Sequence, residues 1–169
     1  MKNLCYLSLF VFALAACDIQ TEKKSVFVEN WKQRAIHHVL SDSLRSGATY
    51  LSVYSQIYSR TEHSTHNLTS TVSLRNINTA DTIYIDRAEY YNTHGQVIRN
   101  YFNTTIFIAP LETVEIVIDE SDTTGGSGAN FLIHWRIPPH GHTPLVEGIM
   151  ISTSGQKGLS FTTQGVQVE

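Results

Sequence analysis

Apolar and polar residues alternate along most of the chain from Gly47 onward. A period of two is typical of β-strands that turn one face to a core and the other to solvent. Further runs of this kind span 82–91, 96–102, 145–152 and 159–168. Seven or eight such strands predict an all-β fold: a single antiparallel β-sandwich, immunoglobulin-like, with an up-and-down barrel as the main alternative. The clearest runs are Leu51-Val53-Ile57, Leu68-Val72-Leu74, Val114-Ile116-Ile118 and Phe131-Ile133-Trp135-Ile137.

The run over 82–91 changes phase in its middle. Ile83 and Ile85 share one face, but unbroken alternation would then bring Arg87 into the core. One extra residue restores the order and turns the next apolar side chains inward, which is what a β-bulge does. We therefore predict a bulge near Asp86.

A helical period precedes the strands. Asn30 stands just before this stretch and is a residue type that caps helices. The sequence predicts a short helix over 30–40, docked on the base of the domain, with Trp31 at a membrane interface as the alternative. The apolar residues at helical spacing are Trp31, Ala35, Ile36, Val39 and Leu40.

The first residues are typical of a bacterial lipoprotein signal. Lys2 precedes an uncharged apolar run over 4–14. That run is shorter than the roughly 20 residues of a membrane-spanning helix. It ends in Leu-Ala-Ala-Cys at 14–17, a pattern at which a signal peptidase cuts before a cysteine that already carries lipid. We predict that Cys17 is lipidated.

This cleavage site sets the predicted organisation of the chain. The signal peptide is 1–16, a lipidated tether with the short helix follows over 17–45, and the sandwich occupies 46–169. Lipid would hold the protein on the bacterial cell membrane or outer membrane, with the domain facing the periplasm or the exterior. Cys5 leaves with the signal peptide and Cys17 carries lipid, so the mature chain has no thiol for a disulfide or a metal.

The charge of the mature chain argues against nucleic-acid binding. Removing Lys2 leaves 11 of the 12 Lys and Arg residues against 15 Asp and Glu, a net charge of −4. A nucleic-acid interface needs a basic patch or stripe, which this sequence lacks.

The stretch 119–130 is acidic, rich in glycine and interrupts the alternation. Hairpin loops are usually about two to five residues long, so this one is longer than a connection requires. Its carboxylates could hold a hard cation, its backbone N–H groups could hold an anion or a partner, or its glycines could let backbones approach closely. The candidate contact residues are Glu120, Asp122, Gly125, Gly126, Gly128 and Asn130.

His140 and His142 are weak candidates for metal ligands. Alternate residues of an extended strand point to the same side, and imidazole nitrogens suit Zn or Cu. A site needs a further ligand, however, and the prolines at 138, 139 and 144 indicate an exposed turn. We predict surface histidines, no bound metal and no cofactor.

Several motifs occur in one order along the chain: SLRN at 73–76, YYNTHG at 90–95, ESDTTGGSGANF at 120–131, EGIMI at 147–151 and GLSF at 158–161. With these motifs, and with YLSVYSQIYS at 50–59, the sequence resembles the DUF3124 family of domains of unknown function over about 46–168. The resemblance implies a bacterial envelope lipoprotein domain and implies no established activity.

The sequence thus predicts a membrane-anchored, non-catalytic module that contacts another component of the cell envelope. Its anchor is membrane lipid on Cys17, and its partner is an envelope protein. The alternative is a lipoprotein that binds a small ligand or a metal through loop 119–130. An enzyme is disfavoured because no Gly-x-Ser-x-Gly elbow and no facing carboxylate pair occur.

Overall fold

The alternating runs form strands that assemble into two antiparallel sheets. The computed structural model describes residues 29–153 and 158–169. Its strands are β1 (Arg45–Ser52), β2 (Gln56–Ser59), β3 (Thr61–Asn67), β4 (Thr69–Arg75), β5 (Ile83–Tyr91), β6 (Val97–Asn100), β7 (Ile106–Ile108), β8 (Thr113–Ile118), β9 (Asn130–Ile137), β10 (Leu145–Ser152), β11 (Leu159–Gln164) and β12 (Val166–Gln167).

Ten of these strands build the sandwich. The larger sheet has the order β12-β1-β9-β5-β6, with β7 also paired to β5. The second sheet, called the four-stranded sheet below, has the order β11-β10-β4-β8. Within the described ranges, strands β2 and β3 pair with each other alone and form a separate hairpin.

The inward side chains of the two sheets meet in one hydrophobic core. Phe131 and Trp135 of β9 pack with Leu74 of β4 and Ile116 of β8, and all four are buried. The Trp135 indole Nε1 donates a hydrogen bond of 3.0 Å to Thr49 Oγ1, so its polar atom has a partner inside the core. The predicted all-β sandwich is confirmed, and the two open sheets exclude the barrel alternative. The immunoglobulin-like variant stays a prediction.

The predicted number of strands is wrong. The sandwich contains ten strands rather than seven or eight, and the described residues contain twelve strands in all. Strand β3 has no apolar residue to alternate, and β7 is only three residues long, so neither gives a periodic signal. The single run proposed around residues 51–57 divides into β1 and β2.

The predicted bulge is present in β5. The pairing of β5 with β9 shifts between Ile85 and Arg87, which leaves Asp86 as the extra residue. As a result Ala88 and Tyr90 turn inward and are fully buried. The phase change in the sequence therefore located a real irregularity of the sheet.

The predicted helix over 30–40 is wrong. Only Trp31–Arg34 form a single 3₁₀ turn, and the side chain of Asn30 makes no capping hydrogen bond. Ala35 instead forms a β-bridge with Ile106, and the Ile36 N–H donates to Thr105 O at 2.8 Å. The chain ends its helical turn because its backbone pairs with the edge of the larger sheet.

One side of the sandwich is closed by a strand that passes from one sheet to the other. Strand β11 pairs with β10 in the four-stranded sheet, and after Gly165 the chain continues as β12, which pairs with β1 of the larger sheet. A Cβ at Gly165 would lie 2.6 Å from Thr49 Cγ2 and 3.0 Å from Val146 Cβ. Gly165 is therefore required by the close approach of the two sheets at this corner.

The predictions for the signal peptide, Cys17 and the tether up to residue 28 lie outside the described residues. The boundary at 46 stays a prediction. Trp31, which precedes it, packs against the core with its ring centroid 5.3 Å from that of Phe102. Within the described ranges, no helix is both long and apolar enough to cross a bilayer.

Candidate functional site

The acidic half of loop 119–130 is folded onto its own carboxylates. Asp119 Oδ1 accepts hydrogen bonds from the N–H of Ser121 at 2.8 Å and from its Oγ at 2.6 Å. Asp122 Oδ1 accepts from the N–H of Thr124 at 3.2 Å and from its Oγ1 at 2.5 Å. Each carboxylate thus stabilises a local turn and has one oxygen fewer for a cation.

The second oxygen of Asp122 binds a neighbouring strand. Arg99 Nη2 of β6 donates to Asp122 Oδ2 at 2.7 Å, and Arg99 Nη1 donates to the Tyr101 hydroxyl at 3.1 Å. Partial burial opposes the charge of Asp122, but the hydrogen bonds from Thr124 and Arg99 outweigh it and hold the pKa of Asp122 below its usual value. Asp122, which was predicted as a cation ligand, is therefore ionised and already paired with the Arg99 guanidinium.

The glycine-rich half of the loop is fixed by Thr93, from the turn between β5 and β6. The carbonyl of Gly125 accepts from the N–H and the Oγ1 of Thr93, both at 3.1 Å, and the Gly128 N–H donates to Thr93 Oγ1 at 3.0 Å. The Gly126 N–H donates to Thr123 O at 3.1 Å. Two of the N–H groups considered for anion binding thus have acceptors within the protein.

Two of the glycines stand where a larger side chain would clash or where the backbone is left-handed. Gly125 is buried, and a Cβ there would lie 2.0 Å from the hydroxyl of Tyr90 and 2.8 Å from Ser55 Oγ. Tyr90 and Ser55 share a buried hydrogen bond of 2.8 Å, and burial raises the pKa of Tyr90. Gly126 has a φ of +72°, which L side chains rarely adopt. These contacts favour the structural interpretation of the loop, while binding by the loop stays a prediction.

The two remaining loop candidates are separate from this network. Asn130 is the first residue of β9 and pairs with Ser52 on one side and Tyr91 on the other. The Glu120 carboxylate makes no hydrogen bond or ion pair within the described part of the chain. The structure therefore brings Asp122, Gly125, Gly126 and Gly128 together beside β5, β6 and the turn between them. Glu120 does not take part in this group.

His140 and His142 lie in an exposed turn, as the prolines indicated. The backbone of His142 is held by Asn78, whose Oδ1 accepts from its N–H at 2.7 Å and whose Nδ2 donates to its carbonyl at 3.0 Å. Both histidine side chains are exposed. Across 29–153 and 158–169, no group of three or more His, Cys, Asp or Glu side chains could hold a metal ion.

A feature that sequence reasoning missed is an apolar row on the outer face of the four-stranded sheet. Register places Thr162, Ile149, Thr71 and Val117 side by side across four strands, with Ile151 next along β10. Val117 is 54% exposed, Ile151 42% and Ile149 38%. We call Val117, Ile149 and Ile151 the outer apolar row.

The sequence does contain a signal for this row. Ile116-Val117-Ile118 and Ile149-Met150-Ile151 are apolar triplets inside strands that otherwise alternate. A triplet places an apolar side chain on both faces of a strand, so its middle or outer members must face away from the core. An alternating pattern identifies the residues that face the core, and it does not reveal apolar residues on the opposite, exposed face.

The comparisons with known proteins address the family and not the site. The DUF3124 model, described as a protein of unknown function, matches residues 46–168. The chain belongs to the DUF3124 family. No curated protein matches the sequence. One solved structure, the crystal structure of Thermotoga maritima 1070, is similar at a TM-score of 0.47 and 8% identity, over 71% of this chain and 92% of that chain.

The DUF3124 region includes both the loop and the outer apolar row. Residues 46–168 also contain the Thr93 contacts and the corner at Gly165, whereas the 3₁₀ turn at Trp31–Arg34 precedes the region. Chemically, the loop presents an internally hydrogen-bonded surface, and the row presents exposed apolar side chains on the outer face of a sheet. Exposed apolar side chains on the face of a sheet suit contact with a macromolecule better than enclosure of a small ligand.

Proposed function

We propose that this DUF3124 protein is a lipoprotein whose β-sandwich contacts another protein of the bacterial cell envelope and catalyses no reaction. Lipid on Cys17 anchors it to the cell membrane or outer membrane, with the domain facing the periplasm or the exterior. The outer apolar row is the contact surface.

The anchor is supported by the sequence before the described residues. The apolar run over 4–14 ends in Leu-Ala-Ala-Cys at 14–17, where cleavage leaves Cys17 first in the mature chain. Buried acyl chains contribute about 0.8 kcal/mol per methylene, so two or more chains hold a protein on a bilayer durably. Anchoring confines the domain to one surface and raises its effective concentration toward partners there.

The observation that carries the contact function is the exposure of Val117, Ile149 and Ile151 on one face of the four-stranded sheet. Single exposed apolar residues are ordinary, but neighbours that share a face mark interaction surfaces. Threonines 69, 71 and 162 surround them in the same register and add methyl groups without charge. Charged side chains on this face belong to the adjoining positions Arg75, Glu115 and Glu147.

Loop 119–130 supports a ligand site less well, because its best-placed donors and acceptors are bonded to one another. Catalysis also has little support. The carboxylates with the strongest interactions are paired with guanidinium groups, as in Asp86 with Arg136 and Asp122 with Arg99.

The anchor is tested by the Cys17→Ser variant. Wild-type protein should partition into detergent and carry lipid on Cys17 by mass spectrometry. The variant should remain unprocessed or become soluble. A wild-type protein that is freely soluble with an unmodified Cys17 would contradict the anchor.

The contact is tested by a photoreactive amino acid introduced at Ile149 in the native envelope. We expect a crosslink to another protein from this position. The matched control is Arg87, which is exposed on the outer face of the larger sheet and should give none. Equal crosslinking from both positions, or none from Ile149, would overturn the proposed contact surface.

A further inference from the structure

The exposed edges of the two sheets are protected to different degrees. On one side, β11 and β12 connect the sheets through Gly165. On the other side, the edge of the larger sheet is covered at β7 by the bridge between Ala35 and Ile106. The neighbouring edge strand β6 is short, and its pairing shifts at Tyr90 and Tyr91. Covering and bulges are two ways in which proteins prevent unwanted strand pairing.

Strand β8 has none of these protections. It is the last strand of the four-stranded sheet, and no strand within the described residues pairs with its free side. Its register with β4 runs without a shift from Ser70–Ile118 to Arg75–Thr113. The strand contains no proline, lysine or arginine, and its inward side chains are almost fully buried. A regular edge of this kind presents backbone N–H and C=O groups to an incoming strand.

Among the described residues, the charge beside this edge is negative. The Glu115 carboxylate accepts only from Ser73 Oγ at 3.3 Å, Asp119 is bonded only within its own turn, and Glu120 has no partner in the described residues. The nearby acids with cationic partners differ from these, since Glu112 binds Arg34 at 2.7 Å and Asp122 binds Arg99 at 2.7 Å. Within the described residues, three carboxylates at and just after β8 thus have no cationic partner.

We propose that β8 accepts an extended segment of the partner protein as a fifth strand of the four-stranded sheet. This inference rests on the proposed function and names the chemistry of the partner. The segment carries Lys or Arg opposite Glu115 and an apolar side chain opposite Val117, two residues away on the same face. Strand addition supplies main-chain hydrogen bonds, and the alternate side chains supply specificity.

The same geometry disfavours a second copy of this chain as the added strand. Antiparallel pairing of two β8 edges would bring the acids of one copy close to those of the other. Like charges opposite each other destabilise a sheet, whereas opposite charges stabilise it. The basic partner is therefore favoured over self-association.

The test uses a photoreactive amino acid at Val117 of the full chain in its native envelope, followed by sequencing of the crosslinked peptide. We expect a peptide of another protein with Lys or Arg within two residues of the crosslinked position. Changing Glu115→Lys should lower the crosslink yield at least about fivefold. The control Glu62→Lys, on a side chain 83% exposed in the β2–β3 hairpin, should leave the yield unchanged.

Two further measurements separate strand addition from contact with the sheet face alone. In the isolated crosslinked complex, the amides of Thr113–Ile118 should exchange with deuterium more slowly than in the free protein. Exchanging the partner's basic residue for Glu should restore the yield of the Glu115→Lys variant.

The outcomes distinguish this inference from the proposed function. A crosslink from Ile149 without protection of β8 amides would overturn strand addition and leave the envelope contact in place. A crosslink from Val117 to a second copy of this chain, or to lipid, would overturn the basic protein partner. No crosslink from either position would overturn both proposals.

Discussion

At the scale of single residues, Gly125 makes the sharpest prediction. Its absent side chain leaves room for the hydroxyl of Tyr90, which would lie 2.0 Å from a Cβ. Gly125→Ala should therefore lower the free energy of unfolding by about 1–3 kcal/mol, the usual effect of overpacking a core. Asp122→Ala should cost less, because it removes a partly exposed ion pair. Chemical denaturation of the purified protein measures both.

The chain offers two glycine controls for this experiment. A Cβ at Gly158 meets nothing within 4 Å, so Gly158→Ala should leave stability unchanged. Gly95 is equally open but has a φ of +73°, so Gly95→Ala isolates the backbone cost of about 1 kcal/mol. A Gly125→Ala protein as stable as the Gly158 variant would contradict the structural interpretation of the loop.

Residue-level features could be predicted only where they are local. The burial of Trp135 followed from its phase in a strand. The partner of Asp122 could not be predicted, because Arg99 is distant in the sequence and approaches only through the pairing of β6 with β5. The contact between Tyr90 and Gly125 could not be predicted for the same reason, because the two residues are far apart in the sequence.

At the scale of elements, the bulge in β5 gives a second prediction. The extra residue Asp86 accepts from Arg136 Nε on Oδ2 at 2.9 Å and from Arg136 Nη2 on Oδ1 at 2.5 Å, and its Oδ1 also accepts from Thr105 Oγ1 at 2.7 Å. Asp86→Ala leaves Arg136 without its bidentate partner and should lower the free energy of unfolding by about 1.5–3 kcal/mol. Chemical denaturation of the variant and of the wild type measures this difference in the free energy of unfolding.

Two further variants serve as controls for the Asp86→Ala measurement. Asp86→Asn keeps the shape and some hydrogen bonds, so it should cost less than Asp86→Ala. Asp81→Ala, at an exposed position just before β5, should be neutral. If Asp86→Ala were also neutral, the bulge would be held by backbone pairing alone.

Elements were predictable when a period lasted for several residues. The phase change at Asp86 was visible because apolar residues flank it on both sides. The helix over 30–40 failed because its apolar spacing satisfied a helical pattern while the edge of the larger sheet offered Ala35 and Ile36 better backbone partners. Tertiary pairing overrode a weak local preference, as it commonly does in short segments.

At the scale of the whole molecule, the free energy of unfolding should fall at acid pH. The hydrogen bond from Arg34, above all, holds the pKa of Glu112 below its usual value, and hydrogen bonds from Ser121 do the same for Asp119. The unfolded chain then binds more protons, so the contribution of these groups is present above their unfolded pKa near 4 and is lost as the pH falls through the lower folded pKa. We expect the free energy of unfolding to decline below about pH 4.

The Arg34→Gln variant separates this effect from general acid instability. Without the guanidinium, the pKa of Glu112 returns toward its unfolded value, so the variant should be less stable at neutral pH and lose less on acidification. Denaturation curves between pH 3 and pH 7 for both proteins measure the two slopes. Parallel slopes would contradict the role given to the Arg34–Glu112 pair.

The closing strand at Gly165 has a consequence for the timing of folding. Strand β1 lies between β9 and β12, so the first strand of the larger sheet finds both of its neighbours in the last part of the chain. Sheets built from such distant pairings form slowly, because long segments must be brought together first. For a chain exported as proposed, the larger sheet cannot be completed until the C-terminal residues have left the translocation channel. On the proposed export route, this order of strands would leave the larger sheet incomplete during translocation and its final pairing to the far side of the membrane.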